Sequence, residues 1–211
     1  MNFDKIREVW NNVYKGEIND LPWVHTKMPS TILDMFIRYL DTPFKLLDFG
    51  CGTGRLAKYL SNNKFVHIDL YDISDIAMNY CRNTLKNDNI NFIDDLYQIE
   101  DTYQGILCWG VFHHLPVEAW TYYIDFFLSH LSENGILLFS DFTRQDSLYE
   151  KQDYLQSEIT KYATYAVELS AVKQRFSQVI ESGVFDFIEN KREIHRTLNY
   201  IISVSYTHLT L

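Results

Sequence analysis

Leu46-Leu47-Asp48-Phe49-Gly50-Cys51-Gly52-Thr53-Gly54-Arg55 decides how the rest of this chain is read. An apolar run enters a loop with glycine at every second position, and a helix-like segment follows. Glycine admits positive φ and lets a ligand lie against bare backbone. Strand, glycine loop and helix in that order form the ligand-binding turn of an open α/β sheet.

The spacing narrows the ligand. A dinucleotide loop reads G-x-G-x-x-G, with a helix N-terminus facing the pyrophosphate. Here the third glycine comes one residue early, and Asp48 stands just ahead of the first. A carboxylate repels a pyrophosphate and attracts an ammonium or a sulfonium. The loop therefore favours a ligand with cationic groups, and both features disfavour an NAD-dependent oxidoreductase.

The flanking pattern supplies the frame. Residues 3–14 suit an amphipathic helix on Ile6, Val9, Trp10 and Val13. Pro29 and Ser30 open a second, with Ile32, Leu33, Phe36, Ile37 and Leu40 at helical spacing. Strands are expected at 45–49, 65–71, 90–93, 106–109 and 136–140, separated by helices at 55–60, 75–86 and 116–131. Ser74 is a natural N-cap and Pro116 a natural first helical residue. Strand and helix in alternation argue for a parallel sheet with right-handed crossovers. From 146 to 181 apolar residues again recur at helical spacing, which predicts two helices ended by Ser182-Gly183. Residues 184–188 and 198–204 then read as two strands.

The expected fold is α/β: a Rossmann-like doubly wound, mostly parallel seven-stranded sheet with an antiparallel strand pair at the C-terminal end. One domain is expected over 1–203, with an N-terminal helical segment at 1–42 and a helical insertion at 143–183. The last eight residues, Val204-Ser205-Tyr206-Thr207-His208-Leu209-Thr210-Leu211, translate one frame of a common transposase sequencing adapter. Residues 204–211 are therefore expected to be an adapter artefact.

The bulk numbers exclude some functions. The formal net charge is −9, which disfavours a nucleic-acid partner, since such proteins carry a basic footprint. The 3 cysteines, Cys51, Cys81 and Cys108, have no metal-ligand spacing, so no metal is expected. Reduced thiols imply a cytoplasmic setting. No apolar run approaches the length of a membrane span.

Taken together, the motifs resemble those of class I S-adenosylmethionine-dependent methyltransferases. Asp48 to Arg55 looks like the family's first motif, and Tyr71-Asp72-Ile73-Ser74 like the acidic end of its second strand. Phe92-Ile93-Asp94-Asp95 is similar to the third strand end. Phe112-His113-His114-Leu115-Pro116 is similar to the turn after the fourth. The segment departs from the family at Gln104, where an aspartate is common, and it has no Asp/Asn-Pro-Pro-aromatic motif after the fourth strand. That absence points to a small-molecule acceptor.

The resemblance implies S-adenosylmethionine as cofactor and methyl transfer by in-line displacement. It implies Gly50, Cys51, Gly52 and Gly54 beneath the methionine part, and Asp48 beside its cationic end. Asp72 would accept from the ribose hydroxyls. Asp95, or Asp94, would accept from the adenine amino group, with Ile73 and Leu96 on the ring faces. The Trp109 main chain would line the methionine end. His113 and His114 are candidates for moving a proton, or for capping a helix or filling the core. Trp10, Tyr14, Trp23 and His114 are candidate acceptor contacts. Trp10-x-x-x-Tyr14 with Leu21-Pro22-Trp23 faintly resembles the N-terminus of thiopurine and tellurite methyltransferases. A cofactor-binding protein without catalysis and an aminopropyl transferase are the other readings the same residues allow.

Overall fold

The computed structural model describes residues 3–150, 152–176, 178–189 and 193–205. The chain opens with helix α1 (Phe3–Tyr14) and α2 (Ser30–Arg38). Strand β1 (Phe44–Phe49) leads through the glycine loop into α3 (Arg55–Leu60). Then come β2 (Val66–Tyr71), α4 (Asp75–Thr84), β3 (Ile90–Phe92), β4 (Tyr103–Trp109), α5 (Val117–His130) and β5 (Leu131–Phe142). A short hairpin of β6 (Tyr154–Gln156) and β7 (Ala163–Tyr165), the helix α6 (Leu169–Lys173), and the long strands β8 (Gln178–Glu189) and β9 (Ile194–Val204) complete it.

Seven strands form one sheet in the order β3-β2-β1-β4-β5-β9-β8. Strands β1 to β5 pair in parallel. Strand β9 is antiparallel to both β5 and β8. This is the expected sheet. Both faces of the central strands β1, β4 and β5 are buried, which is why these strands read as near-continuous apolar runs. Leu46, Leu107 and Leu138 pack against Leu33, Phe36, Leu60 and Met78 of α2 to α4 on one face. Their neighbours Leu47, Ile106 and Leu137 pack against Trp120, Tyr123 and Phe127 of α5 on the other.

Local chemistry sets the element ends. The Ser74 hydroxyl caps α4 as expected, accepting from the Ala77 N–H at 3.2 Å, whereas Pro116 is not the first helical residue but the extended N-cap just before α5.

The expected helices over 146–181 do not form, and this is a correction. Among the described residues of 143–183, only α6 is an α-helix. Ser182-Gly183 lies inside β8, paired with Ile201 and Tyr200 of β9. The helical spacing of Tyr154, Ile159, Tyr162 and Ala166 was outweighed by residue type. Thr160, Tyr162, Thr164, Tyr165 and Val167 favour extended backbone. Ser157 also turns the chain, its hydroxyl accepting from the N–H groups of Ile159 and Thr160, both at 3.2 Å. Lys161 at φ 61 then closes the hairpin.

At the far end, Val204 pairs with Ile136 and Gln178, and the Ser205 N–H donates to the Gly135 carbonyl at 2.9 Å. The remainder of the suspected adapter tail, 206–211, lies outside the described residues. No helix among the described residues is long and apolar enough to cross a membrane.

Candidate active site

The topology places four loops at one end of the sheet. Strands β1 and β4 are adjacent, and the chain winds outward from them in both directions. Ligands in such sheets bind beyond the carboxyl ends of the strands at that switch point. The glycine loop after β1, residues 72–74 after β2, 110–114 after β4 and the Asp141-Phe142 end of β5 meet there. From these segments residues 50–53, Asp72, Ile73, Val111, His113, His114 and Phe142 line a cavity of about 480 Å³, within the ordinary range for a small-molecule site.

Gly50, Gly52 and Gly54 all have positive φ, at 73, 54 and 69°. The Gly50 and Cys51 N–H groups donate to the Tyr71 carbonyl at 2.8 and 3.0 Å, tying the loop to β2. The bare Gly50 Cα faces Val111, whose Cγ2 would lie 2.5 Å from a Cβ there. Gly52 faces the Tyr14 hydroxyl, which would lie 2.8 Å from a Cβ. The loop is therefore clasped between α1 and the turn after β4.

Helix α1 is fixed over the site by Asn11. Its Oδ1 accepts from the Ser74 hydroxyl at 2.9 Å and the Ile76 N–H at 3.3 Å. Arg55, the first residue of α3, straps down the segment after α1. Its guanidinium donates to the Trp23 carbonyl, the Thr26 hydroxyl (2.8 Å) and the Thr26 carbonyl (2.5 Å).

Two carboxyls sit under the loop. Asp48 is 3% exposed, and among the described residues its Oδ2 has no hydrogen-bond partner. Burial, then the Asp72 charge, push its carboxyl up to about 7, against the opposing Ala57 N–H. Asp72 accepts from the Gly52 N–H and the Ser74 N–H, both at 2.9 Å. Burial raises it to about 6, although both N–H groups favour the charged form.

The turn after β4 carries the histidines. The Trp120 indole N–H holds it by donating to the Phe112 and Leu115 carbonyls at 3.0 and 3.2 Å. His113 Nδ1 lies 2.6 Å from Asp141 Oδ1. The His114 ring stands 3.7 Å from that of His113 and 4.6 Å from Trp10. Burial first, then His113 and Arg196, hold the His114 imidazole well below its usual titration range.

A methyltransferase-domain family profile matches residues 23–195 of this chain. The chain belongs to that family. The methyltransferase domain has S-adenosylmethionine as its cofactor, and its sheet is that of the class I group. Over 131 residues it is 32% identical to malonyl-[acyl-carrier protein] O-methyltransferase 2 of Ilyobacter polytropus, covering 59% of this chain and 49% of that protein. The chain spans about half the length of the curated relatives it matches. In structure it is similar to an S-adenosylmethionine-dependent methyltransferase of Anabaena variabilis, with TM-score 0.75, 17% identity, and 96% and 95% of the two chains covered. It is also similar to the 1,6-didemethyltoxoflavin-N1-methyltransferase of Burkholderia thailandensis, solved with 1,6-didemethyltoxoflavin and S-adenosylhomocysteine. There the TM-score is 0.70 at 14% identity, over 98% of this chain and 92% of that one. At such identities the likeness is one of fold alone.

The residues of the methyltransferase domain suit a cationic cofactor. Asp48 Oδ2 is a buried acceptor that lacks a donor, and a positive group would relieve the desolvation that raises its carboxyl. Each Asp72 oxygen takes one backbone N–H and retains acceptor capacity.

The cavity brings together Asp48, Gly50, Cys51, Gly52, Asp72, Ile73 and Trp109 from the expected cofactor set. It also gathers Trp10, Tyr14, Trp23, His113 and His114. Gly54, Asp94, Asp95 and Leu96 do not line it. Gly54 caps α3, Asp94 pairs with Arg82, and Asp95 accepts from the Tyr97 N–H at 3.0 Å. Leu96 is buried with the α5-side core.

Sequence reasoning passed over Asp141 and the wall formed by Phe142, Phe185, Phe187 and Arg196. Asp141 had one available signal, a carboxylate at the carboxyl end of a parallel strand. The Arg196 guanidinium stacks 3.9 Å above the Phe142 ring and is held by Asp146 and Glu189, each at 2.9 Å.

Proposed function

We propose that this protein transfers the methyl group of S-adenosylmethionine to a small-molecule acceptor by in-line displacement. The observation that carries the reading is the cavity that joins Asp48, whose Oδ2 lacks a donor among the described residues, to a wall of aromatic rings. One end suits a cationic cofactor and the other an organic acceptor. The net charge of −9 supports a small molecule over nucleic acid. We read the chain as cytoplasmic, with Cys51, Cys81 and Cys108 as free thiols.

The cofactor, when bound, supplies a methyl group that its sulfonium already makes electrophilic. The chain's part is to bind, align and keep dry. Asp48 faces the cationic end, and Asp72 accepts from the ribose. Gly50, Cys51 and Gly52 offer backbone to the methionine portion, and Ile73 packs on the adenine. Trp10, Tyr14 and Trp23, whose rings cluster with centroids about 6 Å apart, hold the acceptor against the loop. Fixing two reactants in one geometry converts a bimolecular step into an effectively unimolecular one. Covering them with α1 removes the nucleophile's water.

The test is turnover. The protein is incubated with S-adenosylmethionine and a panel of phenols, thiols, amines, carboxylates and N-heterocycles, and S-adenosylhomocysteine is quantified. Product above the no-acceptor background with any one class supports transfer. Cofactor binding without product across the panel leaves a binding protein.

A further inference from the structure

Asp141 lies at the carboxyl end of β5 and is completely buried. Its Oδ2 accepts from the Phe112 N–H at 2.6 Å and the His113 N–H at 3.2 Å. Its Oδ1 accepts from its neighbour, the Phe142 N–H, at 2.8 Å. With backbone N–H groups on both oxygens, the Asp141 carboxyl serves as an acceptor on each. The 2.6 Å contact with His113 is then a donation from Nδ1–H to Oδ1. In a neutral imidazole whose Nδ1 carries the proton, Nε2 is a bare acceptor.

That ring stands at the junction of the two ends of the cavity. On the cofactor side, Val111 of the same turn packs on Gly50. On the acceptor side, the Phe142 ring meets His113 perpendicularly at 4.9 Å. Beyond it the wall continues through Phe187 and Phe185, whose rings stack at 5.7 Å, to Trp109. His114, kept neutral by burial, stacks beside His113 and has an Nδ1 without a hydrogen-bond partner among the described residues.

We propose that His113 Nε2 removes a proton from the methyl acceptor, that Asp141 is the positioning residue that keeps it in that tautomer, and that the acceptor's reactive atom carries a proton to lose: a hydroxyl, a thiol or an N–H. This rests on the methyl-transfer reading above. The acceptor's X–H proton passes to Nε2. The X electron pair forms the new X–CH3 bond as the S–CH3 bond breaks, and that pair returns to sulfur, leaving a neutral thioether. The imidazolium is balanced by the Asp141 carboxylate until its proton leaves to solvent. A carboxylate acceptor is already ionised at neutral pH and has no use for this base.

The tautomer is the decisive readout, and it needs no acceptor. Nitrogen-15 NMR of histidine-labelled protein saturated with S-adenosylhomocysteine, with His113 assigned by loss of its signals in His113→Gln, should show the proton on Nδ1 and none on Nε2. In Asp141→Asn the amide oxygen is best used by the two N–H groups of Phe112 and His113. The amide NH2 then faces Nδ1, so the proton should move to Nε2. Wild-type protein protonated at Nε2 overturns the proposal, as does an Asp141→Asn variant that folds and keeps the Nδ1–H form. If Asp141→Asn does not fold, the wild-type tautomer still decides.

Turnover provides the second arm. With a phenol, thiol or N–H heterocycle that wild type methylates, His113→Gln and Asp141→Asn should each lower kcat by about 100-fold or more. Their Kd for S-adenosylhomocysteine, measured by calorimetry, should stay within about twofold of wild type. Equal kcat in His113→Gln, or a carboxylate as the favoured acceptor, overturns the proposal. Wild type that binds S-adenosylhomocysteine yet methylates nothing in the panel defeats the methyl-transfer reading instead, with the tautomer result standing separately.

Discussion

Asp48 is buried and Asp72 half-buried at the same glycine loop, close enough that the charge on Asp72 raises the Asp48 carboxyl. Two neighbouring acids at the cofactor end leave the ligand-free protein with electrostatic stress that a cationic ligand relieves.

The stress makes stability depend on pH. Both folded-state values, about 7 and about 6, lie above the unfolded value of 3.8. Well below pH 3.8 both groups are neutral in either state, and their full contribution is present. As pH rises the unfolded chain ionises first, so the contribution falls until pH passes about 7. For Asp48 the loss is of the order of 4 kcal/mol. Urea unfolding of ligand-free protein should show Asp48→Asn gaining on wild type between pH 4.5 and 7.5. A gap that stays constant over that range contradicts the raised carboxyl.

The same linkage predicts proton release on binding. A cation at Asp48 selects the carboxylate, so S-adenosylmethionine titrated at pH 6 should expel a proton. Calorimetry in two buffers of different ionisation enthalpy reads this directly, and Asp48→Asn should lose most of it. Identical heats in both buffers for wild type would show that Asp48 is not the cation's partner.

Asp72 should be essential to cofactor binding. S-Adenosylhomocysteine at 100 times its Kd should stabilise the protein by about 2.7 kcal/mol, visible as a raised Tm, whereas NAD should give none. Asp72→Ala should abolish the rise. A normal rise in that variant removes the assigned ribose role.

Gly52 and Tyr14 should show coupled energetics. Gly52→Ala forces a side chain to φ 54 and sets its Cβ 2.8 Å from the Tyr14 hydroxyl. The backbone strain alone costs about 1–2 kcal/mol. Tyr14→Phe removes the clashing oxygen, since the ring Cζ is 3.9 Å from the new Cβ. The double variant should therefore be more stable than the sum of the two single changes implies. Strict additivity in denaturant unfolding would mean α1 does not press on the loop.

Much of this site was legible along the chain because its signals are local. Positive φ at Gly50, Gly52 and Gly54, the Ser74 cap and Asp72 at a strand end each announce themselves within a few residues. The aromatic group of Trp10, Tyr14 and Trp23 was also visible, as an amphipathic stripe and a loop close in sequence. The segment 143–183 was misread because helical spacing of apolar residues occurs by chance in a chain so rich in aromatics. Thr160, Thr164 and Tyr165, which resist helix, carried the better information.

The sequence by itself determined the alternation of strands and helices, the glycine loop with its acid, and the class of cofactor. The first two follow from propensity, periodicity or a forced backbone angle, which act over short stretches of chain, and the third from the resemblance of the motifs to those of a known family. Only the tertiary structure decided that Asp141 meets His113, 28 residues away. It also decided that Phe185, Phe187 and Arg196 wall the cavity, and that Asp94 and Asp95 do not line it. Those relations depend on β5 lying next to β4 and on β9 and β8 folding back beside it. Strand order is set by how buried faces close over the whole domain, and no local pattern encodes it.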